Sequence, residues 1–275
     1  MPLRAVLICV FLFCFCACES GPQPPAKGTP AFYWSAAGEA YSAGDFAKTN
    51  DHLEKLAGSA DYAARAVPWR LMILDGLARG YAEIADRFET GARVNKTSPA
   101  PFRRQASDMR SAASRLAMGF AESLQQYEKA NPSGEVTLDF PFPSGSTIQS
   151  PVINKLAEGI LASGPELESA RKHALTRGVL LAASRMVGAG DDAAKARDAF
   201  KATPAKISSE TFYRAMAQSS LDAADLFSSL KLDIPDRYKF FCDHAMELTR
   251  KLPDSKETKE LIAKIQAAAK KGKKT

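Results

Sequence analysis

The chain has 275 residues, 45% hydrophobic and 25% charged, a balance that excludes a disordered or fibrous protein. Its formal net charge of +6 is local: residues 250–275 hold nine Lys/Arg against three Asp/Glu, and the rest of the chain beyond residue 17 is near neutral. That leaves no broad basic face for nucleic acid, and "KKGKKT", Lys270 to Thr275, reads as a solvated helix end and frayed tail.

Arg4 is the only charged side chain among residues 1–17, and an apolar run extends from Ala5 to Ala17. A membrane-spanning helix needs roughly 20 apolar residues, so the run is too short to span alone. A basic start with a short apolar core is the pattern of a secretory signal peptide. Four of the five cysteines lie in or directly after this segment, and only Cys18 follows a small residue, Ala17; Cys9, Cys14 and Cys16 follow Ile8, Phe13 and Phe15. "FCAC", Phe15 to Cys18, resembles the lipobox of bacterial lipoproteins, with Phe15 where Leu is common and Cys16 where Ser or Ala is common. The resemblance implies that residues 1–17 are removed and that Cys18 is acylated, tying the chain to membrane lipid. Soluble secretion by a cut after Ser20 and an uncleaved interfacial anchor are the alternatives. Glu19 is not the Asp that holds many lipoproteins at the inner membrane, so the expected location is the outer membrane, facing the periplasm.

Residues 18–30 form the lipidated end and a tether. "ESGPQPPAKGTP" holds four prolines and no apolar period. At about 3.1 Å per residue in polyproline geometry it reaches roughly 35 Å. The mature chain would keep Cys18 and one further cysteine, Cys242. A disulfide framework is thereby excluded, and Cys242, among Phe240, Phe241 and Met246, is expected to be a buried, inert thiol.

Alanine is abundant and β-branched runs are scarce in the body, which favours helices. Across Trp34 to Leu56, apolar residues recur at helical spacing, are interrupted at Gly44-Asp45-Phe46, and resume through Thr49, Leu53 and Leu56. The spacing predicts two short helices joined by a tight turn. With Ala36-Ala37, Tyr41 and Gly44-Asp45-Phe46 in place, the stretch resembles a tetratricopeptide repeat. Thr49 stands where that family usually has Ala, and the closing Pro is missing. At an offset of 35 residues, Trp34 falls on Trp69, Ala43 on Ala78, Ala47 on Ala82, Asp51 on Asp86, Glu54 on Glu89 and Ala57 on Ala92. The family's period is about 34, so a second, degenerate repeat is predicted, with its turn at Arg79-Gly80.

A long helix is predicted through Ala106 to Tyr127, stopped by Asn131-Pro132; it closes a tetratricopeptide-like region over residues 31–131. An extended loop follows at 132–149. Within it "VTLDFPF", Val136 to Phe142, alternates like a strand, but a lone stretch cannot make a sheet. It either clasps the helices with Phe140 and Phe142 inserted or acts as a lid. Residues 150–275 are predicted to hold helices near 150–163, 165–187, 191–201, 209–229, 236–251 and 255–270. Leu261, Ile262 and Ile265 on one face of the last fit a solenoid cap.

No catalytic or metal constellation emerges, and no cofactor is expected. His52, His173 and His244 are far apart, and the Ser-x-x-Lys tetrads at Ser169–Lys172 and Ser228–Lys231 lack the companion motifs of penicillin-recognising enzymes. Glu166 and Glu168 fit a solvated helix face. The candidate binding residues are Trp34, Tyr41 and Trp69, which either line a concave groove or pack the helices together, with Phe140 and Phe142. The expected protein is an all-α lipoprotein with a helical-hairpin, tetratricopeptide-like solenoid and one irregular extended loop. Its expected role is a non-catalytic scaffold or adaptor for a protein or peptide partner at the cell envelope, with no nucleic acid. A solute-binding lipoprotein serving a transporter is the main alternative, and an envelope enzyme a lesser one.

Overall fold

The computed structural model of the chain describes residues 24–130, 134–202 and 204–272. The signal segment and Cys18 lie outside them, as do the Asn131-Pro132 stop and the last three residues. Ten helices and two short strands make up the described residues, so the fold is all-α in character.

The first hairpin forms as its turn residues dictate. α1 (Pro30–Ser42) starts with Pro30, whose missing N–H costs nothing there, and Thr29 caps it by accepting from Phe32 N at 3.2 Å. Gly44 takes φ 73°, a conformation that glycine adopts freely. Asp45 then accepts from Lys48 N at 3.1 Å and opens α2 (Phe46–Glu54).

The second expected hairpin is replaced by one helix. α3 (Ala63–Val94) runs 32 residues straight through Arg79-Gly80, about 48 Å at 1.5 Å per residue. The glycine read as a turn is a point of close approach. α3 crosses α6 (Gly164–Met186) so tightly that a Cβ on Gly80 would lie 2.8 Å from the Ala174 oxygen, and one on Gly178 only 2.1 Å from the Gly76 oxygen. Ala78 and Ala92, which aligned at the 35-residue offset, are buried small side chains of this helix's packing faces, not landmarks of a repeat.

α4 (Ala100–Lys129) folds back along α3. Phe88 meets Phe102 near their junction, and the buried Arg70 guanidinium donates to Ser123 Oγ at 2.9 Å near the far end. Arg70 also donates to Asn50 Oδ1 and Glu54 Oε1, so one cation joins α2, α3 and α4. Buried charges persist only when paired in this way.

β1 (Glu135–Leu138) pairs antiparallel with β2 (Ala205–Ser208), Val136 opposite Ile207. The expectation of a lone stretch is corrected: its partner lies about 70 residues on in the chain. Four residues of alternation, with Ala205 and Ile207 buried, were too short a signal to recognise. Between the strands lie α5 (Pro151–Ala157), α6 and α7 (Ala193–Ala199), and after them α8 (Ser209–Leu226), α9 (Pro235–Thr249) and α10 (Lys256–Gly272). α3 packs against α2, α4, α5, α6, α8 and β1. Solenoid repeats contact only their neighbours, whereas here one helix serves as a hub for elements from across the chain.

The end of the chain behaves as its start signals and apolar face predict. Ser255 caps α10 by accepting from Thr258 N at 3.2 Å, and Leu261 and Ile265 are buried where α10 lies on α9. Cys242 is buried beside the stacked rings of Phe227 and Phe241, 5.4 Å apart. Burial pushes its thiol up to about 11 from an ordinary 9.0, more than the Tyr238 hydrogen bond pulls it down. The folded state therefore keeps the proton that the unfolded chain loses first, and this contribution to stability disappears as pH rises from 9 through 11. The expected result is negligible labelling of the native protein by a thiol reagent at neutral pH and fast labelling in denaturant. Equal rates would contradict it.

Candidate functional site

The five candidate binding residues meet in one place. The Trp69 ring lies 5.3 Å from Trp34, 5.2 Å from Tyr41 and 5.6 Å from Phe140, the last stacked at 16°. Phe200 joins Phe140 and Phe142 at 5.7 and 5.5 Å. Tyr41 donates through its hydroxyl to the Pro141 carbonyl at 2.9 Å, and burial pushes that hydroxyl well above its ordinary pKa. The cluster is closed: Tyr41, Trp69 and Phe140 are buried, Trp34 and Phe142 half-buried. These aromatics pack elements together and do not line an open groove. The Phe140 ring sits inside the cluster at 2% exposure, the placement that a clasp requires.

The groove lies on the other side of Arg65. That residue pairs with Asp139, and its guanidinium carbon sits 4.3 Å from the Trp34 ring centre, so it separates the aromatic cluster from a cleft of about 630 Å³. The start of α3, the end of α4 and β1 enclose the cleft. Its floor is small and apolar, with Ala57, Ala60, Ala63 and Ala64; β1 contributes Glu135, Val136 and Thr137 to its wall, and Asp139 follows just after the strand. Val136 and Leu138 are buried. The period-two alternation from Glu135 to Leu138 sends alternate side chains to opposite faces.

The sheet has two strands, so among the described residues no strand covers the second edge of β1. An unpaired edge offers N–H and C=O groups to any extended chain that reaches it. Tyr127, on the α4 wall, is buried against Phe212 at 4.6 Å, and burial raises its hydroxyl pKa. Just beyond it, burial alone would raise the Glu128 carboxyl, but hydrogen bonds from Lys251 and His244 hold it below its ordinary value. Glu128 is thus a braced carboxylate, not a free acid.

The other sequence candidates are dispersed. His52 lies near the Tyr33 ring, His173 Nε2 is 2.5 Å from the Ile148 oxygen, and His244 faces Glu128. Lys231, from one Ser-x-x-Lys tetrad, is paired with Asp86 and Asp225. Glu166 closes a capping box with Ser163. Among the described residues no group of three or more His, Cys, Asp or Glu is placed to hold a metal, and no helix is long and apolar enough to cross a membrane. Sequence reasoning missed the buried charges Arg70 and Asp75, and the half-buried Arg79, Arg185 and Asp222 that join Asp75 in one set. Asp75 and Arg79 stand at i and i+4, which was the available signal. No family model, curated protein or solved structure matches the chain.

Proposed function

We propose that the chain is a lipid-anchored, non-catalytic adaptor of the bacterial cell envelope that holds an extended segment of a partner protein as a third strand against β1. One observation carries this reading: β1, whose second edge no described strand covers, lines a cleft floored by alanines. Main-chain hydrogen bonds to a strand edge supply affinity without demanding a particular sequence, and alternate side chains entering the cleft supply selectivity. The small floor leaves room for them. The lipobox-like Cys18 and the proline-rich tether support a body held off the lipid surface, most simply the outer membrane facing the periplasm. The α1–α2 hairpin, with its Gly44-Asp45-Phe46 turn, supports a tetratricopeptide-like unit at one end of the helical body.

Two substitutions test the two halves of this reading. Cys18→Ser should abolish incorporation of labelled palmitate and release the protein from the membrane fraction; label that persists would refute the anchor. Ala60 is exposed at the cleft, so Ala60→Trp should fill it with little effect on the melting temperature. A partner that co-purifies with the detergent-solubilised parent should then be lost. Equal recovery with the filled cleft would refute the groove.

A further inference from the structure

Of the five large aliphatic side chains that stay exposed among the described residues, three stand together. Val94 ends α3 at 55% exposure, and Ile160 and Leu161 follow α5 at 52% and 48%. The two turns that carry them are tied side by side. Asn95 Nδ2 donates to the Gly159 carbonyl at 3.0 Å, and a Cβ on Gly159 would lie 3.1 Å from Asn95 Cβ. Single exposed aliphatic residues are ordinary, but three on adjoining turns make a patch.

The turn after α5 shows how the patch arises. Gly159 takes φ 80°; its N–H donates to the Leu156 carbonyl at 3.1 Å, and the Ile160 N–H to the Lys155 carbonyl at 3.0 Å. In a helix closed by this pair of hydrogen bonds, the residue in the place of Ile160 commonly packs back on an apolar residue of the last turn. Here that turn presents Lys155 and Asn154, both exposed, so α5 gives Ile160 nothing apolar to fold onto.

The charge around the patch is one-sided. Residues 91–104 hold Arg93, Lys96, Arg103 and Arg104 and no acid, and all four cations are exposed. Arg93 reaches Glu89 at only 3.7 Å; the other three form no ion pair among the described residues. Lys155 adds a fifth cation, against Glu158 and Glu166, and Glu166 is engaged in the Ser163 cap.

We propose that this end of the body is a docking surface for an anionic phospholipid bilayer. Val94, Ile160 and Leu161 enter the interface while Arg93, Lys96, Arg103 and Arg104 lie among the headgroups. Apolar side chains ringed by cations match both layers of such a surface at once. Nucleic acid offers phosphate to the cations but no apolar bed for three aliphatic side chains. The β1 cleft adjoins the start of α3 and the patch its far end, about 48 Å away along the helix, so neither occupant obstructs the other. The lipid contact depends on neither the β1 reading nor the Cys18 anchor.

Hydrogen exchange tests this on the full-length chain, with vesicles of phosphatidylcholine alone and of phosphatidylcholine mixed with phosphatidylglycerol. Helix-end amides open readily, so those of Asn95, Arg103 and Ile160 are sensitive reporters. On the mixed vesicles, peptides spanning 93–104 and 158–162 should exchange at least about fivefold more slowly than on the neutral ones, the factor that one cation beside an anionic surface supplies. Ile160→Glu combined with Leu161→Glu should abolish the difference, while exchange in the middle of α3 stays as in the parent. Should that variant fold poorly, Lys96→Gln combined with Arg104→Gln alters no apolar residue and should likewise bring the two rates together. Equal exchange on both kinds of vesicle, or a difference that survives either pair of substitutions, would overturn the proposal. So would protection that grows with protein concentration in the absence of vesicles, the mark of a second copy, or protection by a co-purifying protein and not by lipid.

Discussion

Gly178→Val is expected to destabilise the protein by about 3 kcal/mol or more, at the upper end of overpacking costs. The reason is geometric. The first side-chain carbon at Gly178 would lie 2.1 Å from the Gly76 oxygen and 2.9 Å from the Gly80 nitrogen, both backbone atoms. Flexible side chains move aside cheaply, but here α3 and α6 would have to separate along the crossing that organises the core. A domain's whole stability is about 5–15 kcal/mol, so the loss is a large share. Gly119→Ala is the control. Its added carbon would sit 3.6 Å from Leu74 Cδ2, an ordinary contact, and alanine favours a helix over glycine by about 1 kcal/mol. Urea unfolding should show Gly178→Val with a much lower midpoint and Gly119→Ala with an equal or higher one. A Gly178→Val midpoint matching the parent would mean that α3 and α6 do not cross as described.

Phe140→Ala is expected to cost about 3–5 kcal/mol, the range for deleting a fully buried aromatic ring. Phe140 stacks on Trp69 and touches Tyr41 and Phe200. Its loss would open a cavity between the first hairpin, α3 and the segment after β1. The flanking chain is pinned by Tyr41 on the Pro141 carbonyl and by Arg65 on Asp139, so collapse into the cavity would be limited. Pro141 and Pro143 further stiffen the segment. Thermal melts read this directly. A lid that opens to admit a ligand would instead give a melting temperature near the parent's and impaired binding.

Much of this fold was legible where local chemistry decides the outcome. Gly44-Asp45 reads as a turn and cap because only glycine takes that backbone angle freely and an aspartate there satisfies a helix N-terminus. The helix starts at Pro235 and Ser255 follow from the same local rules. Gly80 shows where such reading stops. A glycine flanked by helical residues signals either a bend or a close neighbour, and the neighbour, Ala174, lies more than 90 residues away. β2 was hidden for a related reason: strand pairing is a non-local event, and Ala205–Ser208 is too short to announce it. The aromatic residues stand out in the sequence one by one. That they share one cluster, and that the open cleft lies on its far side beyond Arg65, depends on tertiary packing. The Asp75–Arg79–Asp222 set is likewise assembled from α3 and α8, which a sequence reading treats separately.

Photo-crosslinking in intact cells tests the adaptor reading most directly. A benzophenone amino acid placed at Ala64, exposed beside β1 in the cleft, should yield a discrete covalent adduct with an envelope protein. The same probe at Lys195, exposed on α7, should not. Mass spectrometry of the adduct should place the junction within a segment of the partner able to run extended. No adduct from Ala64, or the same adduct from both positions, would contradict a partner strand lying along β1.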